Sequence, residues 1–271
     1  MQINKMNPIR INRGFTLVEM AMVLMIIALL LGGLLPVISG QIEQQRNAET
    51  RKQLAEIREA ILGFAVVNNR LPCPAQATLS TNAADAGKEA RKNTSCACQT
   101  TSGSTKKIAD ASGSRVACAD TAIVGVVPWA TLGVSETDAW GRRFTYQVTS
   151  DFADGTDGTT EAAANACQKS TGVSFQMCSE ANLKVLIAAG SATTLVDLVP
   201  AIAISHGVNG AGGYTNAGNK LTNSADADEV ENADTTNSLV SHDPSSTFDD
   251  LLAWIPPNLL LSRMISAGKL P

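Results

Sequence analysis

Between Phe15 and Ile38 the chain carries one charged side chain, Glu19, and the segment before it holds Lys5, Arg10 and Arg13 with no acid. A run this long and this apolar folds as a helix covered by lipid or by other helices, because only a helix satisfies its own backbone there. At 1.5 Å rise per residue, Met20–Ile38 spans about 28 Å, close to the ~30 Å core of a bilayer. The basic flank would stay on the cytoplasmic side and the bulk of the chain would pass outward. A secretory signal has an apolar region of only ~7–15 residues and ends at small residues. A plain membrane anchor is the stronger alternative, but it does not account for Glu19. A carboxylate in hydrocarbon costs about 2.5–3.5 kcal/mol on insertion scales, so Glu19 requires a dedicated partner. A cut between Gly14 and Phe15 would create one, the α-ammonium of Phe15.

The stretch Arg13-Gly14-Phe15-Thr16-Leu17-Val18-Glu19-Met20 resembles the precursor signal of type IV pilins and type II secretion pseudopilins: a basic leader ending in Gly, then Phe-Thr-Leu-x-Glu and an apolar helix. Pro36 stands where that family's helix often carries a proline. The resemblance covers about the first fifth of the chain. It implies cleavage after Gly14 by a prepilin peptidase and methyltransferase, N-methylation of Phe15, and assembly with other pilin or pseudopilin subunits, with Glu19 and Pro36 as assembly residues. It also implies a single pass through the bacterial inner membrane with the head in the periplasm, followed by a periplasmic or surface filament.

Lys5, Arg10 and Arg13 lie in the leader, which leaves 18 basic against 25 acidic side chains, a surplus of seven negative charges. That balance, without a basic stripe, argues against nucleic-acid binding. The one local patch to consider is Lys106, Lys107, Arg142 and Arg143. Six cysteines, Cys73, Cys96, Cys98, Cys118, Cys167 and Cys178, follow the apolar run. An even number in an oxidising compartment favours disulfides. We expect Cys167–Cys178, and Cys73 or Cys118 tying the ends of a polar insertion. The Cys96-Ala97-Cys98 spacing is too short for zinc and has no nearby His.

Past the apolar run, Leu54, Ile57, Ile61 and Phe64 form one stripe of an amphipathic helix that needs a sheet to cover it. The expected organisation is a leader (1–14), a transmembrane and assembly helix (15–38), the amphipathic half of that helix (39–67) and a globular head (68–271). The expected fold is α+β, a long N-terminal helix on an antiparallel sheet with disulfide-stapled loops, as the resemblance also implies. Leu71-Pro72-Cys73-Pro74 stops the helix. Residues 75–119 read as one long exposed loop. Residues 122–127 resume ordered structure, Phe144, Tyr146 and Val148 alternate as in a half-buried strand, and 183–189 and 198–205 read as central strands. Asp138-Ala139-Trp140-Gly141, ahead of Phe144 and Tyr146, is a second likeness to major pseudopilins; Gly141 makes a turn and Trp140 packs. A short helix is expected near 258–267.

Glycine-rich 206–213 lacks the Gly-Lys-Ser/Thr of a phosphate loop. Clustered Asp and Asn in Gly-rich turns do suit Ca²⁺, which takes six to eight oxygens. Major pseudopilins resemble this order of elements and bind calcium there, which makes Asp226, Asp228, Glu229, Asp249 and Asp250 candidate ligands, with the solvated acidic loop as the alternative. No cofactor is required. His206 and His242 are the only histidines and no nucleophile elbow precedes them, so no catalytic residue is expected. The sequence therefore reads as a filament subunit, minor rather than major because of its bulky head. The alternative is a membrane-anchored periplasmic binding module that does not polymerise.

Overall fold

The computed structural model describes residues 14–92, 95–99, 107–109, 116–117, 122–153 and 172–270, and of these all side chains except those of 31–39, 92, 99, 107–108 and 116–117. It divides into two compact units, Met1–Gln45 and Arg46–Pro271, with the division inside the long helix α1 (Leu17–Asn68).

In the first unit α1 runs through Gly32, Gly33 and Pro36 as unbroken helix. The side chain of Pro36, and with it the assembly role expected of that residue, lies outside the described residues. Among the described residues no helix is long and apolar enough to cross a membrane. The described side chains of the apolar run end at Leu30, short of Ile38, and are exposed.

In the second unit three of the four residues of the expected stripe are buried, Leu54, Ile57 and Ile61 being at most 3% exposed and joined by Leu62 and Ala65, while Phe64 is half-buried. Asn69 ends the helix in the left-handed region (φ 58°), its N–H donating to the Ala65 carbonyl at 2.8 Å. The chain then builds β1 (Arg91–Lys92), β2 (Ser95–Gln99), β3 (Lys107–Ala109), β4 (Val116–Ala117), β5 (Ala122–Val126), α2 (Trp129–Leu132), β6 (Arg142–Arg143), β7 (Thr145–Thr149) and α3 (Ser150–Ala153). There follow β8 (Leu183–Leu186), β9 (Thr194–Val199), β10 (Ala201–Ser205), β11 (Tyr214–Thr215), α4 (Ala227–Ala233), β12 (Ser238–Val240), β13 (Leu251–Ile255) and α5 (Pro257–Ser266).

The main sheet runs β1-β2-β3-β5-β7-β10-β13, with β4 also on β2. Leu54, Ile57 and Ile61 of α1 share one core with Ile123, Tyr146, Val148, Ala203, Leu251 and Ile255. The opposite face, through Ala122, Ile202, Ile204, Leu252 and Trp254, packs on Leu183, Val185, Val199 and Leu239 of a smaller sheet, β12-β8-β9. The head is therefore three layers deep: helix, sheet, sheet. That layering corrects the half-buried strand expected at 144–148, since all of β7 is buried because both its faces are covered.

Other expectations are corrected too. The sheet is not purely antiparallel, because β3–β5 and β12–β8 are parallel. Residues 75–119 are not one exposed loop. They carry β1–β4, which extend the main sheet, and Ala90, Ala97 and Ala109 close a small core of their own. Small side chains let backbones approach closely there without the large apolar residues that periodicity detects: a Cβ on Gly125 would stand 2.4 Å from the Ala75 carbonyl oxygen. Cys73 does form a disulfide, but with Cys96 inside this segment rather than with a cysteine at its far end. Cys98 and Cys178 are also disulfide-bonded, while Cys118 and Cys167, and so the expected Cys167–Cys178 pair, lie outside the described residues.

Of the suggested basic patch, Arg143 does not reach the surface. Arg143 is fully buried, and its guanidinium donates to Glu136 at 2.8 Å and to the carbonyls of Ala77, Leu79 and Asn216 while lying over the Trp129 ring. Arg142 donates to the Trp140 carbonyl at 2.9 Å. Lys106 and the side chain of Lys107 lie outside the described residues.

Candidate functional site

Two places in the chain gather the residues singled out by sequence. The first is the start of α1. Gly14, Phe15 and Thr16 precede the helix in non-helical backbone, Phe15 is 82% exposed, and a Cβ built on Gly14 would meet nothing within 4 Å. Among the described residues nothing packs against the Gly14–Phe15 bond. The residues before Gly14 lie outside the described residues.

Helix formation begins at once after this bond because Thr16 and Glu19 cap it. Thr16 Oγ1 accepts from the Glu19 N–H at 3.2 Å, and Glu19 Oε2 accepts from the Thr16 N–H and hydroxyl, each at 2.9 Å. This is a reciprocal capping box, which satisfies donors that the first turn otherwise leaves free. Its signature, Thr-x-x-Glu ahead of an apolar run, was present in the sequence and was missed. The Glu19 carboxylate of the uncut chain is therefore engaged with its own helix rather than bare.

The second place is a carboxylate cluster where α4, the segment before β13 and the glycine-rich loop meet. α4 presents Glu229, and the segment before β13 presents Asp249 and Asp250; one ligand atom from each lies within 4.8 Å of the others. Glu229 is fully buried and Asp250 3% exposed. Glu229 accepts from the Asn209 amide (2.8 and 3.0 Å) and from the Asp249 N–H (3.1 Å). Asp249 Oδ2 accepts from the Asn209 N–H at 3.0 Å, and Asp250 Oδ2 from the Asn232 amide at 2.8 Å. The glycine-rich loop after β10 can approach this closely because Gly207 has φ 53° and no side chain; a Cβ there would stand 2.2 Å from Asp249 Oδ1.

Among the described residues no Lys or Arg pairs with the cluster. Among the described residues Asp249 Oδ1 and Asp250 Oδ1 are buried without a hydrogen-bond partner, and His206 Nδ1 lies 3.6 Å from Asp250 Oδ1. Burial, followed by repulsion from Glu229 and Asp250, pushes the Asp249 carboxyl up to about 6, against hydrogen bonds from Asn209 and Val208 that hold it down. Unpaired buried carboxylate oxygens of this kind are costly unless a cation or proton joins them. The donor set, hard oxygens on loops with Gly-rich backbone beside them, fits a divalent cation of the calcium type.

The five candidate ligands separate here. Glu229, Asp249 and Asp250 converge; Asp226 and Asp228 do not. Asp226 is the N-cap of α4, accepting from the Asp228 N–H at 2.9 Å, and a hydrogen bond from Thr247 is the main cause that keeps its carboxyl below the usual range. Asp228 accepts from the Ala189 N–H and contacts His242 Nε2 at 3.0 Å. Asn209 and Asn232, which hold the carboxylates, were not singled out by sequence. An Asn beside glycine in a turn gives only a weak local signal, and the partners of Asn209 lie 20 and 40 positions away.

His206 Nε2 lies 2.9 Å from Thr145 Oγ1, and Ser205 donates to Asp138 at 2.7 Å, two polar pairs whose four members are at most 6% exposed.

The prokaryotic N-terminal methylation motif matches residues 9–35. No curated protein and no solved structure matches the chain.

Proposed function

We propose, from the methylation motif at residues 9–35, the signature of type IV pilins and pseudopilins, that the chain is the precursor of a filament subunit. Its role is that of a minor pilin or pseudopilin of a type IV pilus or type II secretion filament. The observation that carries this reading is the motif, supported by the Gly14–Phe15 bond directly ahead of a capped helix. A prepilin peptidase and methyltransferase cuts after Gly14 and methylates the new amine. The subunit is held in the bacterial inner membrane by residues 15–38 with its head in the periplasm, and then packs with other subunits. On cleavage the Phe15 ammonium becomes available to Glu19, which trades its capping contacts or shares them. The chain is thus a substrate of an enzyme and has no catalytic role of its own.

The same reading gives the head a divalent cation, calcium by preference, held by Glu229, Asp249 and Asp250 and positioned by Asn209 and Asn232. The cation neutralises buried charge and pins α4, the segment before β13 and the glycine-rich loop together.

The test is the mass of the N-terminal peptide of the protein isolated from its own membranes. A peptide beginning at N-methylated Phe15 is expected. An intact Met1, or a cut near Gly40, would make the apolar run an ordinary anchor or signal and would favour a membrane-anchored binding module.

A further inference from the structure

The main sheet ends at β13, whose outer edge pairs with no strand among the described residues. Along that edge runs a groove of about 720 Å³, lined on one side by Arg51, Leu54 and Arg58 of α1 and on the other by Ile187, just past β8, and Leu195 of β9. The groove therefore continues the middle layer of a three-layer head, with a row of strand backbone at its base and a wall on each side. We propose that it takes an extended polypeptide segment of a partner protein, added to β13 as a further strand, with acidic side chains on one face and apolar side chains on the other.

The chemistry of the occupant follows from the two walls. In β13, Leu251 and Ile255 belong to the core on the α1 side, whereas Leu252 and Trp254 belong to the core on the side of the smaller sheet. A strand added in the same plane alternates likewise, because successive side chains of a strand point to opposite faces. Its residues on the first face meet Arg51 and Arg58. Neither arginine has an ion pair among the described residues, and Arg58 Nε is buried with no hydrogen-bond partner, a donor waiting for an acceptor. In a head with surplus negative charge, two unpaired guanidinium groups beside an open strand edge select carboxylates. Its residues on the second face meet Ile187 and Leu195, which are 41% and 52% exposed, and the partly buried Leu252 and Trp254. Asp243 and Asp250 also line the groove; Asp250 belongs to the carboxylate cluster, its Oδ2 held by Asn232, and Asp243 is the other opposing charge among the described lining residues. Addition of a strand to an exposed sheet edge is a general mode of peptide recognition, with main-chain bonds giving affinity and alternate side chains giving specificity.

The test uses the full chain in detergent micelles and a fluorescent octapeptide of alternating glutamate and valine. Saturable binding is expected, weakened about tenfold or more by Arg51→Glu with Arg58→Glu and by N-methylation of alternate peptide amides, as loss of charge-assisted or ladder hydrogen bonds implies. The charge-reversed variant should in turn bind the lysine–valine octapeptide, an exchange that an unfolded variant would not show. Should the double variant fail to fold, Leu195→Glu, an exposed change on the opposite wall, is expected to weaken binding of the glutamate–valine peptide about tenfold. The proposal is overturned if no saturable binding occurs, if the N-methylated peptide binds as well, or if the wall variants leave affinity unchanged. It is also overturned if sedimentation shows dimers that Arg51→Glu dissolves while the peptide does not bind, since the occupant would then be a second copy.

Discussion

Asp249 shows at the scale of one residue how the carboxylate cluster acts on the fold. Its carboxyl titrates at about 6 in the folded head against an ordinary value of 3.8, so between those values the folded state holds a proton that the unfolded chain has released. Stability from this group therefore falls as pH rises from about 4 to about 6, and the full penalty stands at pH 7. In chelator, melting scans of the head should show this decline, and Asp249→Asn should abolish it while leaving the cation-free head at least as stable at neutral pH. An unchanged slope in the variant would assign the titration elsewhere. Arg143 acts in the opposite sense, as a buried cation with every neighbour satisfied by it. Removing one partner of such a set leaves charge and carbonyls unpaired, so Arg143→Ala should cost about 3 kcal/mol or more in urea unfolding. Arg143→Lys should recover little, because an ammonium cannot span the same fork. Sequence alone suggested Arg143 for a surface patch. Adjacent arginines look alike in a string, and it is the Ala77–Leu79 carbonyls and Asn216, far along the chain, that draw only one of them inside.

At the scale of elements, legibility followed the size of the side chains. The α1 stripe was readable because Leu54, Ile57 and Ile61 repeat with the helical period and bury nearly completely. The strands of residues 91–117 were not, because their core is Ala90, Ala97, Ala109 and cysteine, residues without a hydrophobic signal strong enough to show a period of two. The capping pattern of α4 was legible but misread: Asp226-Ala227-Asp228-Glu229 places an acid at the cap and another three residues on. The cap acid turns to the helix backbone, which removes it from the cation site to which sequence had assigned it. The Cys73–Cys96 disulfide fastens the small-residue strands to the helix exit. It closes a loop across a separation of 23 residues, so in the chain-entropy account it contributes about 3 kcal/mol. Replacing both cysteines by alanine should lower stability by that amount while leaving α1 helical, measured by denaturant unfolding followed by circular dichroism. A loss well under 1 kcal/mol would mean that the strands of 91–117 are held by packing alone.

For the whole molecule, the division at Gln45 and Arg46 separates a helical segment from a unit with its own cores. Residues 46–271, produced in an oxidising compartment, are expected to unfold in one cooperative transition. That unit is where the cation reading is put at risk. Ligand that binds only the folded state at a hundred times its dissociation constant adds about 2.7 kcal/mol, and for a domain of 150–250 residues each kcal/mol shifts Tm by about 2–4 °C. Saturating Ca²⁺ at pH 7 should therefore raise Tm by roughly 5–11 °C, and the gain should shrink at pH 5, where protons compete for Asp249. The surplus acidic charge of the head would also attract Ca²⁺ loosely, so the pattern across variants decides the matter. Asp249→Asn and Glu229→Gln should abolish the response. Asp226→Asn should keep it, because asparagine also caps a helix and Asp226 faces Asp228 N–H rather than the cluster. If Mg²⁺ at equal concentration matches Ca²⁺ in all four proteins, the effect is diffuse screening and the three carboxylates are no site. If only the proteins with Glu229, Asp249 and Asp250 intact respond, and to Ca²⁺ first, the cluster is what joins α4 to the start of β13, and every contact that the head makes through those loops depends on it.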